Sequence, residues 1–184
     1  MVAGAAWYGL ISTISFLLFP VRQLQDQLAA SYRALGSFLF AKANVFDVDM
    51  TASSYQQSMI DVALENSKLI TLFNHLRIAL LTRLKGDRGQ KDTRRSLHYY
   101  FVAQDIHERA DSAHIDYQKL AKLFQHSDIL FRFQRLLTLQ GKACQDLAQS
   151  ILSQSPYVHH KRFKHSFENL RLSLEKLRDD GLYD

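Results

Sequence analysis

Proline and glycine are scarce in this sequence, with 2 and 7 in 184 residues. Few sharp turns can be built, so long uninterrupted elements are expected. Cysteine occurs once, as Cys144, which excludes an intramolecular disulfide framework and a metal knuckle of paired cysteines. A reducing compartment suits that usage. Also missing are the G-x-x-x-x-G-K-S/T phosphate loop, the glycine pattern around a nucleophilic serine and a glycine-rich dinucleotide fingerprint. Neither an enzyme nor a cofactor is expected. No stretch alternates with period two for long enough to propose a sheet. One further absence is local: no side chain from Met1 to Val21 is charged.

What stands in that uncharged run is MVAGAAWYGLISTISFLLFPV. At about 1.5 Å per residue, roughly 20 helical residues match the ~30 Å hydrocarbon core. Trp7 and Tyr8 lie near one end and Arg22 marks the other. A basic n-region is missing and the apolar run is too long for a signal peptide. Residues 1–21 are therefore expected to form a transmembrane helix and 22–184 a helical domain. Gly4, Gly9, Ser12, Thr13 and Ser15 are small enough to let other transmembrane helices approach closely, so the segment reads as one helix of a bundle. Arg22 and Arg33 against Asp26 place the helical domain in the cytoplasm by the positive-inside tendency.

Beyond the run, apolar residues recur at helical spacing almost without interruption. Leu24, Leu28, Tyr32, Leu35 and Leu39 continue the first helix, and 44–49 interrupts the pattern. A second helix spans about 54–84, with Tyr55, Met59, Val62, Leu69, Phe73, Leu76, Leu80 and Leu84 on its stripe. A third starts near Thr93 and runs through Tyr99, Ala103, Ile106, Ala110, Ala113, Tyr117 and Leu120 to Phe124. The fourth follows Ser127 and Asp128 with Leu130, Phe133, Leu137, Gln140, Cys144, Leu147 and Ile151. The fifth carries Phe163, Phe167, Leu170, Leu174 and Leu177. Gly86-Asp87-Arg88-Gly89 and Ser155-Pro156 mark connections, with Asp92 placed to cap the third helix and Asp128 the fourth. The expected fold is all-α: one transmembrane helix, then an antiparallel bundle of long helices.

Five segments carry a resemblance: Trp7-Tyr8, LLFPVRQLQDQLA (17–29), LLTRLKGDRGQ (80–90), LHYYFVAQDIHERA (97–110) and HSDILFRFQRLL (126–137). They resemble the YccS/YhfK family of inner-membrane proteins, within the wider fusaric-acid-resistance group of efflux proteins. The similarity covers about residues 2–177. It implies a cytoplasmic helical region flanked by two bundles of membrane spans. Only the span preceding the helical region is present here, so the chain is expected to be a fragment of that architecture.

Two clusters could carry chemistry. Arg83, Lys85, Arg88, Lys91, Arg94 and Arg95 place six cations within thirteen residues, opposed by Asp87 and Asp92. A solvated loop with local ion pairs is the plain reading. The alternative is a contact with anionic lipid or an acidic partner. The net charge of +5 would also suit nucleic acid, but no recognition motif supports it and none is expected as a partner. On the third helix His107, Asp111 and His114 are spaced i, i+4, i+7, a weak candidate for a metal site. HERAD is not HExxH, and a solvated or interhelix-paired face explains these residues better, so no metal is assigned. Cys144 falls on an apolar stripe, as a buried inert thiol would. Two functions follow. Either the helical domain braces or couples spans of a transport protein, or it is a membrane-tethered scaffold or regulator of protein partners. Membrane lipid, other transmembrane helices and a second copy are the expected neighbours. Nothing in the sequence names a small-molecule substrate.

Overall fold

A chain with so few helix breakers should spend its hydrophobic residues on helix–helix contact, and it does. The computed structural model describes residues 20–47, 50–84, 90–112, 119–120, 123–124, 127–158 and 161–179. Among them are five long helices and no strand: α1 Pro20–Asn44, α2 Ala52–Leu84, α3 Gln90–Asp111, α4 Ile129–Ser153 and α5 Lys161–Asp179. None of these helices is long and apolar enough to cross a membrane. Most of the expected span, 1–19, lies outside the described residues. Its last two residues instead open α1, with Pro20 at the first helical position, where a missing N–H costs least.

α1 is the central element. Between Leu28 and Ala43 only Arg33 is exposed, so this helix is covered all round, as burial against several neighbours requires. The stripe Leu24, Leu28, Tyr32, Leu35, Leu39 is buried, and so are Ala29, Ala34 and Phe38 on other faces. α2, α3 and α4 all pack on α1, and α5 packs on α4.

Contacts across the helices fix their directions. Gln25 meets Gln154 and Phe46, just past α1, stacks on Phe133 at 5.8 Å, so α1 and α4 are antiparallel. Tyr32 Oη donates to the Tyr99 carbonyl at 2.8 Å and Phe38 touches His107, so α1 and α3 are parallel. Asn66 meets His107 and Phe73 meets Tyr100, so α2 and α3 are antiparallel. The first four helices run up, down, up and down.

Where α1 crosses α4, two glycines face each other. A Cβ on Gly36 would stand 2.7 Å from the Gly141 carbonyl oxygen, and one on Gly141 would stand 2.9 Å from that of Gly36. The backbones approach this closely because neither residue has a side chain.

Several expectations need correction. The described third helix ends at Asp111, with a bend at Ser112. The Ser112 hydroxyl bonds back to the Arg109 carbonyl, the kind of local competition that ends helices. Ala113 and Tyr117 lie outside the described residues. Asp92 sits inside the first turn of α3, where it favours the helix dipole without capping. Asp128 occupies the N-cap position of α4 but makes no side-chain cap, because its carboxylate is taken by Arg132 at 2.6 Å. α2 starts two residues early, at Ala52, where Thr51 Oγ1 accepts from the Ser54 amide. α5 meets α4 well before the α4 C-terminus: Tyr157, its hydroxyl pKa raised by burial first, also senses the Asp146 carboxylate, and His165 lines one hollow with Arg135. The connection therefore retraces α4. Among the described side chains of α5 only Leu170 is buried, while Phe167 and Leu174 of the expected stripe stay exposed.

Candidate functional site

Two polar features stand out, one buried among the helices and one at an exposed end of the bundle. The first joins three helices. Lys42, at the end of α1, continues the apolar spacing of Leu35 and Leu39 and is therefore carried into the core, 7% exposed. Its Nζ donates to the carbonyl of Ala110, in the last turn of α3, where carbonyls lack helical partners and a cation is favoured. The ammonium also lies 5.5 Å from the centre of the Phe38 ring. Burial pushes the Lys42 pKa below the ordinary lysine value, and Asp111 pulls it partly back.

One turn before Ala110, His107 Nε2 lies 2.6 Å from Asn66 Oδ1 of α2. Facing an amide oxygen, that nitrogen carries the proton. The imidazole is edge-on to Phe38 at 5.2 Å and to Phe73 at 5.8 Å. Burial first, and Lys42 in addition, lower its pKa, against the opposite pull of Asp111 and Glu108. The node is one buried lysine, one neutral histidine, one amide and two rings. It fastens α1, α2 and α3 together.

The shift of His107 has a stability consequence with a definite sign. Above the ordinary value of about 6.5 the ring is neutral in both states, and its contribution to stability is fully present. As pH falls from there through the depressed folded value, the unfolded chain takes up a proton that the folded one resists, and stability declines. Urea unfolding of wild type and His107→Gln at pH 5 and pH 7.5 reads this. The wild type should lose more stability on acidification than the variant; equal losses would remove His107 from the account.

The second feature is the basic end. The helix directions place the close of α2 and the opening of α3 beside the start of α1. Arg22, Arg83, Lys91, Arg94 and Arg95 thus share the end of the bundle from which the uncharged run departs. Arg95 lies over the Tyr99 ring at 5.9 Å. Lys85 and Arg88 lie outside the described residues.

Of the weak metal candidates, His107 is engaged by Asn66, Asp111 is exposed at the end of α3, and His114 lies outside the described residues. No group of three histidine, cysteine or acidic side chains able to hold a metal ion converges among the described residues. Cys144 is buried on α4 and its thiol is pushed up to about 12 by that burial, so it stays protonated and unreactive at neutral pH. Sequence reading missed Lys42 and Asn66. The spacing Leu35, Leu39, Lys42 was a usable sign for the lysine. Asn66 carried none, since an asparagine on a long helix is ordinary.

Comparison with known proteins gives a consistent result. The family model described as FUSC-like inner membrane protein YccS matches residues 1–182. The chain is 52% identical over 181 residues to the Inner membrane protein YccS of Escherichia coli (strain K12), covering 98% of this chain and 25% of that protein. It is 36% identical over 184 residues to an uncharacterized protein of Haemophilus influenzae, covering 100% of this chain and 26% of the relative. The chain thus spans about a quarter of the length of these relatives. No solved structure matches it.

Proposed function

Because this chain belongs to the FUSC-like family of inner membrane proteins, we propose that it supplies the junction at which a membrane span passes into a helical domain that couples spans of a transport protein. The observation that supports this reading is the position of α1. It begins where the uncharged run ends, and it is the helix on which α2, α3 and α4 all pack. A tilt or rotation of the span would be carried along a buried rod into the whole domain, because packed interiors transmit displacement instead of absorbing it. The basic end fits the same picture. Arg22, Arg83, Lys91, Arg94 and Arg95 would face anionic headgroups on the cytoplasmic side, each contributing about 1 kcal/mol near such a surface.

The test belongs in the intact family protein. A Gly-Ser-Gly-Ser insertion between Arg22 and Gln23 leaves the span and the domain core unchanged but breaks the rod between them. Cells carrying it should match cells lacking the protein in resistance to a panel of aromatic acids, with normal amounts of the protein in the membrane. Wild-type resistance and export from the insertion variant would remove the coupling role.

A second reading, a tethered scaffold or regulator, has one observation in its favour. In the first half of α2, Met59, Ile60 and Leu64 are exposed. A partner recovered reproducibly from membranes with the wild-type chain, and lost with Ile60→Asp and Leu64→Asp together, would favour it.

A further inference from the structure

At the end of the bundle remote from Pro20, α4 and α5 flank a half-open hollow of about 570 Å³. α4 contributes Asp128, Phe131, Arg132 and Arg135, and α5 contributes His165, Ser166 and Asn169. The spacings set these side chains on facing stripes: steps of three and four keep the α4 residues on one helical face and the α5 residues on another. Asp128 and Arg132 are joined at 2.6 Å and largely neutralise each other. Arg135 is then an uncompensated cation, and among the described residues neither it nor His165, Ser166 or Asn169 has a hydrogen-bond or ion-pair partner. Neither helix has an acidic residue in its first turn; at the α4 end the only acidic group lining the hollow is the N-cap residue Asp128, already paired with Arg132. The ring of Phe131, 57% exposed, adds an aromatic edge to the hollow, whose unpaired polar groups are Arg135, His165, Ser166 and Asn169.

We propose that the hollow binds a soluble phosphate ester. The phosphate would lie against Arg135, His165 and the Ser166 and Asn169 donors, and the apolar body of the ester against Phe131. A guanidinium, an imidazole, a hydroxyl and an amide arriving from two helix faces suit three oxygens disposed around a tetrahedral centre better than the two coplanar oxygens of a carboxylate. The hollow lies level with Phe46, which stacks on Phe133. Helix α1, with 25 residues, spans about 37 Å at 1.5 Å per residue. If the Pro20 end faces the membrane, as the proposed function has it, headgroups of that membrane are out of reach. A dissolved ester is then the source.

The test titrates the full chain in detergent micelles with phenyl phosphate and with inorganic phosphate, following backbone amide shifts by NMR. Saturable shifts at Arg135 and Asn169 are expected, with a dissociation constant of roughly 1 mM or tighter for phenyl phosphate. Arg135→Gln should weaken both ligands at least about tenfold. Arg135 is exposed and unpaired, so the variant should unfold at the wild-type urea concentration. Phe131→Ala should weaken phenyl phosphate and leave inorganic phosphate unchanged. Shifts that stay linear, or undiminished binding by Arg135→Gln, would overturn the proposal. So would binding to phosphatidylglycerol vesicles through these residues without binding to phenyl phosphate, which would hand the hollow to lipid. Phosphate binding retained by a chain that ignores anionic vesicles would support the proposal and count against the membrane-facing reading of the basic end.

Discussion

Gly36→Val is expected to destabilise the helical domain by about 3 kcal/mol or more, lowering Tm by roughly 10 °C in a domain of this size. The cause is contact with a backbone atom. A Cβ at Gly36 would meet the Gly141 carbonyl oxygen at 2.7 Å and the Gln145 side chain at 2.9 Å. A flexible side chain could swing away, but the carbonyl can move only if α4 moves. Gly36→Ala sharpens the test because its sign opposes the local rule. Within a helix, alanine ordinarily gains about 1 kcal/mol over glycine, yet here the same Cβ pushes the two helices apart. Thermal unfolding of Gly36→Ala should therefore show a lower Tm than wild type. A higher one would mean that α1 and α4 do not cross at these glycines. Gly141→Ala should behave alike, and the double variant should cost less than the sum, since one separation of the helices relieves both contacts.

That crossing also shows what the sequence could and could not disclose. The helical period made the five helices and most of the α1 and α2 stripes legible, because a buried face must repeat every three to four residues whatever lies opposite. Periodicity names a face and leaves its neighbour open. Gly36 and Gly141 fit neither stripe as hydrophobic residues, and their importance comes from meeting each other across 105 positions of chain. The same holds for the partner of His107. The spacing of His107, Asp111 and His114 allowed a weak metal set or a solvated or interhelix-paired face, and only the placement of α2 names Asn66 as the group that takes the ring. On α4 the buried set is rotated from the expected stripe, with Gly141 and Ala148 inside and Phe133 only partly buried, because small residues are preferred where α1 comes closest. The hollow between α4 and α5 was illegible for a different reason. The fifth helix's stripe named a face but not its neighbour, and the return of residues 154–158 along α4 is a loop property with no period to read. The basic cluster could be read as charge. That it shares an end with the start of α1 follows from helix directions alone.

Phe38→Ala should be the costliest single truncation, about 4 kcal/mol, within the range for burying and then deleting a phenyl ring. Phe38 is wholly buried on the central helix, and its ring contacts groups from two places at once: the edge of His107 on α3 at 5.2 Å and the Lys42 ammonium at 5.5 Å. Loss of packing is only part of the effect. The vacated space opens beside two groups whose ionisation burial now opposes, and water entering there would relax both. The His107 pKa should therefore rise towards its ordinary value in the variant, followed by NMR titration of the ring. The acid-side loss of stability described for the wild type should shrink with it. Phe38→Leu keeps most of the volume and should cost about 1 kcal/mol with little change at His107. Phe131→Ala, on the exposed side of α4, should stay within about 0.5 kcal/mol of wild type. A Phe38→Ala variant as stable as Phe131→Ala would mean that α1 is not the helix on which the others are built. An unmoved His107 titration in a strongly destabilised variant would leave the packing intact but break the link between the ring and the burial of the node.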